Sequence, residues 1–158
     1  MILFAILVFA LDRAAKIWAY DVLRLMQNGT MPLTPRLENI LHLTYAQNQG
    51  VSFGMLSGNA TFVVILVAVL CLIIVLLLAY TRHKPFFIRM SGHMILGAAL
   101  GNLYDRIRFG FVIDMVEIRL FRFAIFNVAD AFLTIGAVTV MAYILFSKPA
   151  SAPRRRNA

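Results

Sequence analysis

The sequence has little charge, few acids and almost no cysteine. Only 14% of its 158 residues are charged and 61% are hydrophobic, whereas soluble globular domains are about 25% charged and about 45–50% apolar. This shortage of charge excludes an ordinary soluble domain and a disordered chain. The single cysteine, Cys71, excludes an internal disulfide and therefore a disulfide scaffold. The length favours a single domain.

Acids are outnumbered by bases, with 7 Asp and Glu against 15 Lys and Arg and a formal net charge of +8. In a soluble protein this excess would suggest a nucleic-acid partner. Here the mean hydropathy of +0.83 favours basic residues that face anionic lipid headgroups instead. We therefore expect membrane lipid, and no nucleic acid, as the surroundings of this chain.

Long apolar runs predict an α-helical membrane protein. The clearest run, residues 60–79, has no charge and matches the ~20 residues that span a bilayer. The first run continues through Asp12 to Tyr20 and lacks a basic start, which favours a span over a signal peptide. We predict one integral-membrane domain, residues 1–149, and a basic, disordered tail, residues 150–158. The predicted four transmembrane helices cover about residues 1–20, 60–79, 88–104 and 126–146.

Two polar segments between the predicted spans have strand-like patterns. Residues 40–45 are rich in β-formers, residues 30–35 read as a turn with two prolines, and residues 111–123 alternate apolar and polar side chains. These patterns predict a small extracytoplasmic β-like cradle. An even number of spans places both termini on one side, and the basic loop at Arg82 and the Arg-rich tail indicate that this side is cytoplasmic. All seven acids then lie toward the other face.

Two carboxylates near the ends of predicted spans are candidates for catalysis. Asp114 precedes Asp130 by sixteen residues, and ionisable groups at membrane depth are costly unless they have a function. Two adjacent carboxylates share a proton, so one can activate water while the other protonates a carbonyl oxygen. Alternatively, Asp130 forms a helix cap with Asn127, a role compatible with catalysis. Asp114 is alternatively a strand residue paired with Arg106, Arg108 or Arg119.

Other polar residues have helical spacing. Asp105 ends the third predicted span, where a carboxylate needs a cationic partner, and it shares a face with Asn102. Asp12 and Lys16 are spaced for a helical ion pair, which is either solvated or directed toward the site. Small residues from Gly97 to Gly101 allow close helix packing.

Several residues of reactive types have no supporting pattern. Ser52 lies in a Gly-x-Ser-x-Gly sequence, but the chain has no room for the α/β sheet that a nucleophile elbow requires. His42, His83 and His93 lack the spacing of metal ligands, so we expect no metal and no cofactor. Cys71 lies within a span, where thiols are usually inert.

Five motifs occur together in one order along the chain. They are Asp12-x-x-x-Lys16, Asn48-Gln-Gly50-Val-Ser52-Phe-Gly54, Gly97-Ala-Ala-Leu-Gly101-Asn102-Leu-Tyr-Asp105-Arg106, Gly110-Phe-Val-Ile-Asp114 and Phe126-Asn127-Val-Ala129-Asp130. Together they resemble the lipoprotein signal peptidase family, signal peptidase II. The resemblance runs from Asp12 to Asp130. Ser52 and Ala98 depart from the family's usual alanine and glycine.

The resemblance implies a multi-pass aspartic endopeptidase of the bacterial cytoplasmic (inner) membrane, active near its outer face. Its substrate would be a prolipoprotein, cleaved just before a diacylglyceryl-modified cysteine, and it would be inhibited by globomycin. Asp114 and Asp130 match the catalytic pair. The positions that match the rest of the site are Asp12, Lys16, Asn48, Gly50, Asn102, Asp105, Arg106, Asn127 and Ala129. We expect a monomer.

Two other functions use the same sequence features. A proton- or ion-translocating membrane protein would use the carboxylates as relay stations spread across the membrane. A noncatalytic helical scaffold would keep its function when Asp114 and Asp130 are replaced by asparagine.

Overall fold

Long helices and one small sheet make up the part of the chain that the computed structural model describes, residues 1–50, 59–121 and 123–147. The helices are α1 (Ile2–Asp21), α2 (Ala60–Tyr80), α3 (Phe86–Phe109) and α4 (Val128–Phe146). The strands are β1 (Thr30–Pro32), β2 (Leu41–Asn48) and β3 (Val112–Ile118). Residues 51–58, residue 122 and residues 148–158, which include the predicted tail, lie outside the described residues.

Two of these helices are long and apolar enough to cross a membrane. They are α2 together with the single helical turn that follows it, Ala60–His83, with a mean hydropathy of 3.7, and α4, Val128–Phe146, with a mean hydropathy of 1.9. The Asn59 side chain caps α2 by accepting a hydrogen bond from the Phe62 amide at 3.1 Å. Both helices are exposed over most of their length, which is the pattern of helices that face lipid rather than a soluble core.

Helices α1, α3 and α4 pack around one apolar cluster. Val8 of α1, Met94 and Ala98 of α3 and Ala129 of α4 are all buried there. Helix α3 continues five residues beyond the predicted span end at 104, as far as Phe109. The charged end of α3 includes Asp105, whose side chain is fully buried inside the helix bundle. Gly110, at φ 80°, ends the helix in the left-handed conformation that favours glycine.

The sheet is antiparallel, in the order β1-β2-β3, and lies against the carboxyl end of α1. The two strand-like segments of the sequence therefore form β2 and β3. In their register Ala46 faces Asp114 and Asn48 faces Val112. The expectation of a simple turn at residues 30–35 is wrong, because β1 occupies 30–32. Pro32 is tolerated there because β1 is an edge strand.

Helices α1 and α3 approach each other closely at Gly97, where a Cβ would overlap the backbone carbonyl of Ala5 in α1. The small-residue stripe thus allows α1 to contact α3 directly. At Gly92, on the same helix, a Cβ would instead meet the mobile end of Leu78 at 2.6 Å.

We expect Gly97→Ala to lower the free energy of unfolding by about 1–3 kcal/mol, because backbone cannot move aside as a side chain can. Gly92→Ala is the matched control. It should stay within about 1 kcal/mol of wild type, since alanine's higher helix propensity offsets a small shift of Leu78. Unfolding by SDS titration in mixed micelles measures both. Equal losses for the two variants would contradict this assignment of the contact.

Candidate active site

Asp114 of β3 and Asp130 of α4 are joined through one asparagine. Asn127 donates from Nδ2 to Asp114 Oδ1 at 2.6 Å, while its Oδ1 accepts from the Asp130 amide at 2.9 Å. Asp130 Oδ2 accepts in return from the Asn127 amide at 3.3 Å. The strand and the helix start therefore bring together the two carboxylates that the sequence placed sixteen residues apart.

The contacts of Asp130 form a capping box at the start of α4. The predicted cap is confirmed, and it leaves Asp130 Oδ1 to accept from Asn102 Nδ2 at 2.9 Å. The positive end of the helix favours a carboxylate at this position. Capping thus orients Asp130 and adds a stabilising charge, and it does not remove the carboxylate from the site.

Asp114 is bound by amides rather than by an arginine, so the alternative pairing with Arg106, Arg108 or Arg119 is wrong. Asn48 Nδ2 donates to Asp114 Oδ2 at 3.0 Å, on the oxygen opposite to the one that Asn127 binds. Burial, followed by the nearby charge of Asp130, raises the pKa of Asp114 to about 6. Asp114 is therefore the member of the pair that holds a proton most readily.

A buried ion cluster lies next to Asn102, the residue that binds Asp130. Lys16 Nζ contacts Asp12 Oδ2 at 2.9 Å and Asp105 Oδ2 at 3.0 Å, and Arg13 contacts Asp105 Oδ1 at 2.7 Å. The predicted Asp12–Lys16 pair is confirmed, and both side chains are fully buried, so the solvated interpretation is wrong. The predicted cationic partner of Asp105 is also confirmed, on α1.

Backbone amides tie this ion cluster to the elements that bear the aspartates. Asp12 Oδ1 accepts from the Ala129 amide at 3.0 Å, and Asp105 Oδ2 accepts from the Ile113 amide at 3.2 Å. The cluster therefore fixes the residues next to Asp130 and Asp114. Sequence reasoning missed Arg13. The available signal was that Asp105 needs a cation and that α1 supplies only Arg13 and Lys16.

Arg106 connects α3 to the end of β2. Its Nη2 donates to the Gly50 carbonyl at 2.7 Å, and its Nη1 donates to the Asn102 carbonyl at 3.2 Å. Gly50 in turn donates its amide to Asn48 Oδ1 at 3.1 Å, which orients the amide that binds Asp114. Gly50 and Arg106 thus connect to Asn48 and Asn102, the residues that bind Asp114 and Asp130. Ser52 lies outside the described residues.

A groove of about 950 Å³ runs from Asp130 along the apolar helices. Asn102, Arg106 and Asp130 line its polar end. Its walls are apolar side chains of α2 and α4, among them Leu66, Leu70, Leu133 and Ile135. Such a groove fits a ligand that is mostly apolar and has one polar group to be placed beside the carboxylates.

Apolar helices with one carboxylate, Asp130, at the polar end of an apolar groove and a second, Asp114, joined to it through Asn127 define an aspartic protease of the membrane. The sequence model described as "Signal peptidase (SPase) II" matches residues 4–146. The chain therefore belongs to the signal peptidase II family.

Individual relatives agree with this family. The chain is 39% identical over 145 residues to a lipoprotein signal peptidase of Clostridioides difficile, which covers 92% of this chain and 94% of that protein. It is 33% identical over 148 residues to one from Caldanaerobacter subterraneus, with 94% and 96% covered. A solved structure described as a bacterial membrane enzyme superposes with a TM-score of 0.77 at 27% identity, covering 96% of this chain and 93% of that one. The protein is thus a membrane-embedded peptidase.

Proposed function

We propose that this protein removes signal peptides from bacterial lipoprotein precursors, cutting just before the diacylglyceryl-modified cysteine, with Asp114 and Asp130 as its catalytic pair. The observation that carries the proposal is that Asn127 binds both aspartates, one of which, Asp130, lines the polar end of an apolar groove. The described acids Asp12, Asp105 and Asp130 also gather at one place, which does not favour a relay across the membrane.

The reaction needs no covalent intermediate. Ionised Asp130 takes a proton from a water molecule as its oxygen attacks the carbonyl carbon, and protonated Asp114 gives its proton to the carbonyl oxygen. In the second step Asp114 takes that proton back while the C–N bond breaks. Asp130 then protonates the departing nitrogen, and both groups return to their starting states.

The groove supplies the positioning that this chemistry requires. The acyl chains of a lipid-modified cysteine can remain among the apolar side chains of α2 and α4, while the scissile bond reaches Asp130. Binding energy from these chains then holds the carbonyl near the water molecule, away from bulk solvent.

We further propose that all four helices span the cytoplasmic membrane as one domain, residues 1–149, with both termini cytoplasmic and the site near the outer face. Helices α1 and α3 contain charges, but Asp12, Lys16 and Asp105 are fully buried. Their outer faces carry exposed apolar side chains such as Leu3, Leu7, Phe86 and Ile107. We propose that the protein works as a monomer. A reporter fused at residue 83 tests the topology and should indicate a cytoplasmic loop.

The function is tested with the purified protein in detergent and a fluorescent precursor that bears the diacylglyceryl cysteine. The same precursor without the lipid is the matched control. We expect cleavage only of the lipidated form, with the new amino terminus at the modified cysteine, and inhibition by globomycin. Equal cleavage of both forms, or cleavage of neither, would refute the proposed substrate.

The pH dependence follows from the raised pKa of Asp114. This carboxyl must be protonated to act as the acid, so kcat/KM, which reports the free enzyme, should fall as pH rises through about 6. The Asn48 hydrogen bond favours the charged form of Asp114 and so lowers this pKa. Asn48→Ala should therefore move the alkaline limb to higher pH.

The matched control for Asn48→Ala is Gln47→Ala on the same strand, whose amide donates to the Tyr45 hydroxyl at 3.1 Å. Its alkaline limb should coincide with that of wild type. An Asn48→Ala limb that stays in place, or moves to lower pH, would show that Asp114 does not hold the catalytic proton.

A further inference from the structure

Lys16 occupies an unusual position for a lysine, because its side chain is fully buried. Its ammonium group has three N–H donors and no acceptor. The structure offers it three acceptors: Asp12 Oδ2 at 2.9 Å, Asp105 Oδ2 at 3.0 Å and Asn102 Oδ1 at 2.8 Å. Two of these form ion pairs, whereas the third belongs to a neutral amide that binds Asp130.

The contact with Lys16 determines which way the Asn102 amide faces. Because an ammonium group can only donate, the atom of Asn102 that it touches must be the oxygen. The nitrogen of the amide then points at Asp130 Oδ1, 2.9 Å away, as a donor. Asn127 Nδ2 also donates to Asn102 Oδ1, at 3.2 Å, and to Asp114 Oδ1. The buried ammonium group thus sets the direction of the Asn102 amide, while the helix cap sets that of Asn127.

We propose that Lys16 is a positioning residue for peptide hydrolysis, which acts through Asn102 to present a hydrogen-bond donor to Asp130, the base of the pair. This inference rests on the proposed function of the aspartate pair. If Lys16 were absent, the Asn102 amide could rotate and present its oxygen to Asp130. That oxygen can accept a hydrogen bond only from the protonated acid, so it would favour a protonated Asp130, which cannot act as the base.

The charged residues around Asp114 and Asp130 allow the orienting effect of Lys16 to be separated from the simple loss of its charge. In α1 these are Asp12, Arg13 and Lys16, and in α3 they are Asp105 and Arg106. The ion cluster itself contains two acids, Asp12 and Asp105, and two bases, Arg13 and Lys16, so its charges balance. Arg13 has the same charge as Lys16, on the same helix, but its contacts are Asp12, Asp105 and the ring of Tyr104. Arg13 is therefore the matched control.

The test compares Lys16→Met with Arg13→Met in the cleavage assay across pH. Each variant leaves the ion cluster with one uncompensated negative charge, and both should be less stable than wild type. For Lys16→Met we expect kcat to fall by about 100-fold and both limbs of the pH–rate profile to move up by about one pH unit. For Arg13→Met both limbs should stay where wild type has them. Equal shifts in the two variants would overturn the proposal.

A second variant covers the case in which Lys16→Met does not fold. Asp12→Asn/Lys16→Met keeps the cluster neutral and retains an oxygen that can accept from the Ala129 amide. We expect this double variant to fold and to show the same upward shift in pH. A wild-type profile in the folded double variant would contradict the role assigned to Lys16.

The dependence on Asn102 is measured with a double-mutant cycle. In an Asn102→Ala background, Lys16→Met should cause a smaller shift of the pH profile, because the amide that it orients is gone and only its direct charge effect on Asp114 remains. An undiminished shift would mean that Lys16 acts by another route. Failure of these tests leaves the proposed function intact, provided that wild type cleaves the lipidated precursor and Asp114→Asn does not.

Discussion

Asp114→Asn and Asp130→Asn are each expected to lower the rate of precursor cleavage by about 10⁴-fold. Asparagine has the shape of the acid but can neither take a proton from water nor return one to the leaving nitrogen. General acid and general base steps are each worth up to about 10⁴-fold, and here one pair of residues performs both. The double variant should be no slower than either single one, because removing one partner already disables the pair.

The fold should survive both substitutions. Burial raises the pKa of Asp114 above its ordinary value, so the folded state favours the neutral form of this group. Its contribution to stability is therefore present at low pH and is lost as pH rises through about 6. At pH 7 the Asp114→Asn protein, which has a neutral side chain at this position, should therefore unfold at a temperature equal to or above that of wild type.

The matched control for Asp114→Asn is Glu117→Gln, on the same strand. Hydrogen bonds from Thr44, at 2.5 Å, and from Arg119, at 3.2 Å, lower the pKa of Glu117, so it is held ionised on the outer part of the sheet. Its replacement should leave the rate of cleavage within about twofold of wild type. Substantial cleavage by the folded Asp114→Asn or Asp130→Asn protein would show that these two residues are not the catalytic pair.

The local parts of this site could be predicted from the sequence. Asn127 and Asp130 are three residues apart at the start of an apolar run, and that spacing alone predicts a cap, which α4 has. Asp114 lies in an alternating segment, and the strand is there. In both cases the deciding interaction connects residues close in sequence, so periodicity and spacing are sufficient.

The long-range pairings could not be predicted in the same way. Lys16 donates to Asn102 across 86 positions of sequence, and Ala129 donates to Asp12 across 117. Helical periodicity indicates that Lys16 and Asp12 share a face, but not which helix that face meets. The meeting depends on the close approach of α1 and α3 at Gly97, which is set by three-dimensional packing. For the same reason, β1 was not predicted from the sequence, because its pairing with β2 defines it as a strand.

Asp105→Ala is expected to lower the free energy of unfolding by about 3–5 kcal/mol, the cost of breaking a buried ion pair by removing one partner. Asp105 is fully buried, and it neutralises Arg13 at 2.7 Å and Lys16 at 3.0 Å. Without it, two buried cations share only Asp12. The Ile113 amide also loses its acceptor, which loosens the strand that carries Asp114. Unfolding by SDS titration in mixed micelles measures the loss.

The matched control for this loss is Glu117→Ala, which breaks the partly exposed pair with Arg119 at 3.2 Å. It should cost at most about 1 kcal/mol, because water already solvates the charge that remains. The double variant Asp105→Ala/Arg13→Met restores the balance of the buried charges, leaving one acid, Asp12, with Lys16. It should therefore be more stable than Asp105→Ala alone. If the double variant is less stable than Asp105→Ala, the loss comes from packing, and the balance of charge in the cluster does not determine the stability of the bundle.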